Sequence, residues 1–321
     1  MPRSSKIFRK LLFRLGSLAG IILISIQIYQ VFQEFRSGTL SFYIYWPIIL
    51  AMVIVSGSIF QQIEAWLILM RSLEVRLPRH DARFGYALSF LARYIPGTVW
   101  GYLSRSEWLW QNYQVSYLRS NYASLLEILC GIFSSLLAIG LGSLITGDLT
   151  VSKGLSISLI LVPFIFWSLI LSRFSFSRRI KGLLHLENDQ PDHISFRRWS
   201  TTLLLLLVNW LYYGMVLFLV GWSMGAWRID QLPSVWLPLT IDFSIAWLIG
   251  FLIIFIPSGL GVRELILSSL LVSHYKMAPG MAQSISLLMR FCITLAEVFS
   301  IVLFTIIRQS TAGEKKPKSA V

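Results

Sequence analysis

The amino-acid sequence predicts an all-α polytopic membrane protein with six to eight transmembrane segments. Of its 321 residues, 55% are hydrophobic and only 13% are charged, whereas soluble domains carry about 25% charged residues. The apolar residues form long runs separated by basic loops, which is the pattern of membrane helices. Two runs are interrupted by proline and glycine, which predicts two broken or re-entrant hairpins and is compatible with an inverted repeat.

The net charge of +13 comes from 28 lysine and arginine residues against 15 aspartate and glutamate residues. Such an excess could bind nucleic acid, but these basic residues lie between apolar runs, so we expect no nucleic-acid partner. They follow the positive-inside rule and suit anionic headgroups. We predict one integral membrane domain over residues 1–310 and a basic tail over 311–321, with both termini cytoplasmic at the plasma or inner membrane.

The apolar runs give the order of the membrane segments. A basic N-terminus precedes a first span over about 11–33, which we interpret as retained because no small-residue cleavage site follows it. Loops 70–83 and 173–199 are rich in arginine and are predicted to be cytoplasmic. The remaining runs cover roughly 43–69, 84–103, 119–146, 154–172, 200–224, 234–256, 265–273 and 283–308.

An even number of crossings must separate the two cytoplasmic loops. Runs 119–146 and 154–172 supply two crossings, so 84–103 must enter the membrane and return on the same side. A break at Pro96 and Gly97 divides this segment into pieces of roughly ten residues, each about 15 Å of helix or half of a ~30 Å hydrocarbon core. The segment is therefore predicted to be a re-entrant hairpin.

The same count requires region 234–275 to begin and end outside. It contains a second break, around Pro257 and Gly259, and we favour a second hairpin entering from the opposite face. A full span over 234–256 followed by a short returning helix satisfies the count equally well. In either case the break lies in the membrane, where freed backbone groups need partners.

Seven ionisable residues lie in the apolar runs or at the breaks. Any single one could belong to a structural pair that pins helices together, as readily as to a functional site. Arginine beside two helix breaks favours an anion site, because helix N-termini attract anions and guanidinium matches phosphate. The seven residues are Arg93, Glu127, Asp242, Arg263, Glu264, Arg290 and Glu297.

We assign two roles to the residues at and near the breaks. Those predicted to bind a lipid headgroup are Arg93, Pro96, Gly97, Pro257, Gly259, Gly261, Arg263 and Arg290. Those predicted to balance charge, and to couple transport to protons or bind an amine, are Glu127, Glu264 and Glu297.

The pairing of these residues is partly predictable. Arg290 and Glu297 are seven positions apart and share one helical face. Glu127 could pair with Arg93 or with Arg290. Asp242 is closer to a span end and is interpreted as an interfacial carboxylate, and Arg105 as either a mouth residue or a solvated charge.

Motifs for catalysis, cofactors and metals are missing from the sequence. There is no nucleophile elbow, P-loop, zinc motif or Rossmann fingerprint. The four histidines are scattered, and Cys130 and Cys292 lie in apolar runs as expected of core residues. We expect no enzyme activity, metal or cofactor, although a membrane-embedded transferase using Glu127 or Asp242 stays open.

The two breaks resemble motifs of a known membrane family. Residues 93–100 read Arg-Tyr-Ile-Pro-Gly-Thr-Val-Trp, and residues 256–264 read Ile-Pro-Ser-Gly-Leu-Gly-Val-Arg-Glu. Together with the basic first span, Glu127 and Arg290, they make nearly the whole chain similar to the lysylphosphatidylglycerol synthase transmembrane family, which is flippase-like. The second break is the more specific motif, although Ser258 stands where the family more often has glycine.

The resemblance implies a membrane domain that, in multi-domain members, moves an aminoacylated phospholipid between leaflets. The aminoacyl-transferase domain of those members is not expected here, because only a short polar tail follows residue 308. We therefore expect a lipid transporter for an anionic phospholipid or a polyprenyl-linked precursor. The alternative is an accessory subunit that presents lipid to a partner glycosyl- or acyltransferase. No oligomeric state is predicted.

Overall fold

A computed structural model describes residues 43–93, 100–147, 152–171, 194–253, 259 and 261–313, together with isolated positions between 25 and 38. Nine α-helices and no strand occur in these described parts of the chain. Apart from those isolated positions, the predicted first span lies outside the described residues. So do most of the loop 173–199 and the tail from residue 314.

The nine helices are numbered in chain order. A π-helical turn at Trp167–Leu171 extends the fifth, and a 3-10 turn at Ile229–Gln231 precedes the seventh. The helices are α1 (Trp46–Ser72), α2 (Arg79–Ala92), α3 (Trp100–Tyr113), α4 (Tyr117–Thr146), α5 (Lys153–Phe166), α6 (Phe196–Ser223), α7 (Leu232–Leu252), α8 (Val262–Tyr275) and α9 (Pro279–Gly313).

Five of these helices, α1, α4, α6, α7 and α9, are long and apolar enough to cross a membrane. Large apolar side chains point outward from them, such as Ile49 on α1 (65% exposed), Leu204 on α6 (61%) and Ile306 on α9 (56%). Exposed apolar surface of this kind suits lipid, which is as apolar as the side chains themselves. The prediction of an all-α polytopic membrane protein is confirmed.

Helices α1 and α6 run antiparallel and define the two ends of the bundle. The Gln61 side chain donates to the Leu205 carbonyl at 2.5 Å near the middle. At one end Arg198 donates to the Arg71 carbonyl at 3.4 Å. We call this end the basic face, for Arg71, Arg79, Arg83, Arg198 and Arg308. At the other end the Tyr43 N–H donates to the Ser223 carbonyl at 2.9 Å, and we call it the opposite face.

Helices α2 and α3 form the first hairpin. Tyr113 at the end of α3 donates a hydrogen bond to Asp81 at the start of α2, while Gly101 lies against Ser89 near the break. Each helix has 14 residues and is therefore about 21 Å long, shorter than a ~30 Å hydrocarbon core. Arg308 donates to Asp81 at 2.9 Å, so the hairpin opens on the basic face, as predicted.

Helices α7 and α8 form the second hairpin, which opens on the opposite face. His274 contacts Asp242 at 2.8 Å, and the Tyr275 ring lies 5.7 Å from that of Trp227, just beyond α6. The hairpin is asymmetric: α7 has 21 residues and α8 has 14, or about 31 and 21 Å. It thus corresponds to the alternative version of the sequence analysis, a helix of spanning length followed by a short returning helix, and not to the favoured hairpin of two half-helices.

Small residues allow the helices to approach closely. A Cβ added at Gly140 would lie 2.7 Å from the Ser156 carbonyl oxygen of α5, and one at Gly142 would lie 2.7 Å from Ile241 Cγ1 of α7. Both glycines therefore lie where a larger side chain would separate neighbouring helices. Close backbone approach of this kind is a main source of stability between helices in lipid.

Replacing Gly214 with alanine should destabilise the contact between α6 and α7. The new Cβ would lie 2.9 Å from Thr240 Cα, and overpacking of this kind costs roughly 1–3 kcal/mol. We expect a lower melting temperature in detergent. Gly57 of α1 is the matched control, because a Cβ there meets nothing within 4 Å and alanine is the better helix former. Equal melting temperatures for the two variants would contradict this packing.

Candidate functional site

The two hairpins converge on one cavity with a volume of about 150 Å³. Arg93 caps the end of α2 and Gly101 lies in the first turn of α3. Gly250 lies in the last turn of α7 and Arg263 in the first turn of α8. All four residues line the cavity, so the helix ends that flank the two breaks meet there, as the sequence predicted.

The cavity is rich in charged side chains. Glu264 lies just beyond it, in a smaller cavity of about 20 Å³ that it shares with Arg263 and Arg290. Charged groups at membrane depth are costly unless they are paired. The pairing therefore shows which charge of the site lacks a counterion. The charged residues that line the main cavity are Arg93, Arg105, Arg263, Arg290, Glu127 and Glu297.

Arg105 and Glu127 form the most buried pair. The Arg105 side chain is 2% exposed, and its Nη1 lies 2.6 Å from Glu127 Oε2. Tyr86 donates a hydrogen bond to the other carboxylate oxygen at 2.6 Å. The guanidinium also lies over the rings of Tyr86 at 4.1 Å and Trp66 at 5.0 Å, within the range of cation–π attraction. Both charges of this pair are thus compensated.

Helix α9 supplies ion-pair partners for charged residues beside the two breaks. Glu297 accepts from Arg93 at 2.9 Å, which ties the end of α2 to α9. Seven residues earlier on the same face, Arg290 lies 3.6 Å from Glu264 in the first turn of α8. Glu264 also accepts from the Gly261 N–H at 2.6 Å, as in a helix-capping interaction. The prediction that Arg290 and Glu297 share an inward face is confirmed.

Arg263 differs from the other three arginines. No carboxylate among the described residues lies within ion-pair distance of Arg263. Its Nε, like that of Arg105, is buried with no hydrogen-bond partner in that part of the chain. Its guanidinium lies over the Trp247 ring at 5.4 Å. An aromatic face attracts a cation but does not neutralise it, so Arg263 keeps its charge available to a ligand.

Glycine is required around Arg263 for two reasons. A Cβ added at Gly250 would clash with Arg263 Cγ, and one at Gly259 would lie 2.9 Å from Arg263 Nε. In addition, φ is +64° at Gly259 and +82° at Gly261, a conformation that only glycine adopts readily. The glycines of the second break therefore both turn the chain and leave space for the arginine.

Among the described residues, the charges of the site leave an excess of one positive unit. Four arginines (93, 105, 263 and 290) stand against three glutamates (127, 264 and 297), and each glutamate lies within 4 Å of an arginine other than Arg263. A cation without a counterion in a low-dielectric cavity attracts an anion strongly. The geometry thus fits an anionic group placed between the helix breaks.

Comparisons with known proteins add no relative to this description. No family model matches the chain, and no curated protein matches its sequence. The resemblance of the two break motifs to a known family stays a prediction, and the evidence on function is the geometry of the site itself.

Two sequence-based predictions, one pairing and one location, are wrong. Glu127 was expected to pair with Arg93 or Arg290, but it pairs with Arg105 because α3 returns beside α4. Asp242 was expected at the interface, but it is 1% exposed and contacts His274. The short α8 runs back along α7 and brings that histidine to mid-helix. Gly261 starts α8 at the edge of the site.

The remaining predicted residues have different outcomes. Pro96, Gly97 and Pro257 lie outside the described residues. Trp247 was missed as a site residue, since tryptophans are common near span ends. Arg105, which begins a polar stretch and was expected at the mouth or in solvent, is 2% exposed and lines the cavity. Ser104 and Arg105 lie three and four residues after Gly101, which is the spacing of one helical face and could have indicated that Arg105 points inward. The predicted residues that do line the cavity are Arg93, Gly259, Arg263, Arg290, Glu127 and Glu297.

Proposed function

We propose that the protein is a flippase-like transporter that moves an anionic lipid, either a phospholipid or a lipid-linked precursor, between membrane leaflets. The observation that carries the proposal is Arg263. This arginine lies at the start of a broken helix, in a cavity of about 150 Å³, without a carboxylate partner among the described residues. A phosphate group supplies the missing negative charge and accepts hydrogen bonds from a planar guanidinium.

The arrangement of the hairpins supports movement across the membrane. One hairpin opens on the basic face and the other on the opposite face, yet the helix ends beside both breaks line the same cavity. Secondary transporters commonly place a substrate site at such broken helices, with access alternating between the two sides. A headgroup bound by Arg263 would thus have a route to either leaflet.

The charge distribution supports an orientation. The basic face carries the arginines that end α1 and begin α2 and α6, including Arg71, Arg79 and Arg198, and positive loops stay in the cytoplasm. We infer that this face is cytoplasmic. Because Arg308, near the end of α9, lies at this face, we place the C-terminus in the cytoplasm too. The predicted first span puts the N-terminus on the same side, in the cell membrane.

Reconstitution into liposomes tests the proposal. Liposomes that carry a fluorescent phosphatidylglycerol lose only the outer-leaflet signal when dithionite is added. We expect the purified protein to expose part of the inner-leaflet pool, and to act more slowly on fluorescent phosphatidylcholine, which has no net negative charge. Signal loss no greater than in protein-free liposomes would refute transport. That outcome, together with activity restored to a partner transferase, would favour an accessory subunit.

A further inference from the structure

The second hairpin holds an ion pair whose basic member is a histidine. Of the four carboxylates predicted at membrane depth, Glu127, Glu264 and Glu297 each lie within 4 Å of an arginine. The fourth, Asp242, contacts His274, with 2.8 Å between Oδ1 and Nδ1. Arginine stays protonated in proteins, whereas histidine changes its charge near neutral pH. The histidine pair can therefore bind and release a proton where the arginine pairs cannot.

This pair extends from the surface of the bundle to the middle of a membrane helix. Asp242 is the eleventh of the 21 residues of α7, about 15 Å from either end, and its side chain is 2% exposed. The His274 side chain is 28% exposed. Ser273 and Lys276, beside it at the end of α8, are exposed polar residues. A proton from the opposite face can thus reach His274, and through it the buried carboxylate.

The helices packed against the pair carry few titratable residues at its level. Helix α7 packs against α4, α6 and α8, and α8 also packs against α9. Gly142 of α4 lies against Ile241, next to Asp242, and α4 has no titratable residue after Cys130. On α9 none precedes Arg290, which lies beside Glu264 near the other end of α8.

The titratable groups nearest the pair are two tyrosines and one exposed ion pair. Tyr213 of α6 stacks on Phe243 with 4.9 Å between the ring centroids, and the Tyr275 ring lies 6.4 Å from the histidine ring. Tyrosine side chains ordinarily titrate near pH 10, far above histidine. In the turn before α7, Arg228 and Asp230 pair with each other at 3.0 Å. The histidine is therefore the group of this region that titrates near neutral pH.

The protonation of His274 decides whether the buried carboxylate is neutralised. In the imidazolium form the histidine balances the charge of Asp242 and holds the open ends of α7 and α8 together. In the neutral form the carboxylate loses this countercharge, which is costly in a low-dielectric interior. Loss of the proton therefore weakens the contact between the two helices of the hairpin.

Helix α8 links this pair to the cavity. Arg263 lies in its first turn and His274 in its last, eleven residues apart or about 16 Å. Gly250 of α7 lies against the Arg263 side chain, so the same two helices meet at both ends of the hairpin. A movement of α8 at His274 would also displace Arg263 within the cavity.

We propose that His274 and Asp242 form a proton-binding site, and that release of the proton to water on the opposite face loosens the second hairpin and lets a headgroup leave the cavity on that side. This inference rests on the proposed transport function and adds its regulation by pH. It assigns proton coupling to a histidine–aspartate pair instead of the three glutamates, which have arginine partners.

The pH dependence of translocation tests the coupling. Liposomes with fluorescent phosphatidylglycerol are assayed by extracting outer-leaflet lipid with albumin, from about pH 5.5 to about pH 8.5, which spans the titration of histidine. We expect the rate of the unmodified protein to rise by up to about tenfold, as the neutral fraction of a histidine with a pKa near 6.5 does. His274→Gln should be fast at every pH, and His274→Lys, which keeps the positive charge, should be slow at every pH.

Two further variants make this test specific. Asp242→Asn removes the carboxylate and should also abolish the pH dependence, and it serves if His274→Gln does not fold. His80→Gln is the matched control, because His80 lies 3.3 Å from Asp81 on the basic face, and it should keep the pH profile. A profile kept by both His274→Gln and Asp242→Asn, or lost in His80→Gln, would overturn the assignment.

Thermal stability separates this inference from the transport proposal, because it needs no lipid movement. The ion pair with Asp242 is present below the pKa of the histidine and is lost as the pH rises through it. His274→Gln should therefore melt below the unmodified protein at acidic pH, and the difference should shrink as the pH rises. That result without any translocation would refute transport and keep the proton site. Translocation with a stability difference and a rate that both ignore pH would overturn the proton site alone.

Discussion

Replacing Arg263 with glutamine should abolish lipid translocation in reconstituted vesicles without loss of folded protein. Removing the cation takes away the charge-assisted hydrogen bonds to phosphate, worth about 1.5–3 kcal/mol each, so binding should fall at least tenfold. The melting temperature should stay the same or rise, since Arg263 is a cation without a carboxylate partner among the described residues and such cations are destabilising. Dithionite bleaching and thermal denaturation of the same preparation measure both effects.

Two further variants control for charge and position. Arg228→Gln removes a positive charge from an exposed pair, in which the arginine side chain is 82% exposed, and should leave translocation unchanged. Arg263→Lys keeps the charge but not the planar fork, and should give an intermediate rate. Full activity of Arg263→Gln would remove the basis of the proposed site.

Replacing Glu127 with glutamine should give the largest loss of stability. Arg105 is 2% exposed and its Nη1 lies 2.6 Å from Glu127, so the substitution leaves a buried cation without its counterion. Breaking such a pair costs about 3–5 kcal/mol. We expect a markedly lower melting temperature and poor recovery of the folded protein from detergent.

An exposed glutamate provides the comparison. Glu64 lies 3.3 Å from Arg79, but the two side chains are 30% and 63% exposed, and such pairs contribute about 0–1 kcal/mol. Glu64→Gln should therefore shift the melting temperature little. If the two glutamine variants melted at the same temperature, Glu127 would not be the structural partner of Arg105.

The first hairpin could be predicted from the sequence because its signals are local. The Pro96–Gly97 break divides the segment, and the basic loops on both sides require it to return to the same face. The helices on either side, Arg79–Ala92 and Trp100–Tyr113, form the expected hairpin. Each has 14 residues rather than about ten, because both continue beyond the apolar segment 84–103. The meeting of the two breaks was predictable in outline, since arginine beside each break indicates a shared polar site.

The partners within the site could not be predicted, because they depend on depth and register. Glu127 meets Arg105 only because α3 returns beside α4 at a particular height. Likewise Asp242 is buried against His274 because α8 is shorter than α7 and ends beside its middle. Hydropathy indicates that a residue lies in the membrane, but not which residue of another helix lies at the same level.

Native mass spectrometry of the purified protein tests most directly whether the cavity holds an anionic lipid at Arg263. The unmodified chain and Arg228→Gln should each retain one anionic phospholipid in a mild detergent, and Arg263→Gln should lose it. Equal retention by Arg263→Gln would contradict the account, as would lipids bound only in proportion to their abundance in the membrane.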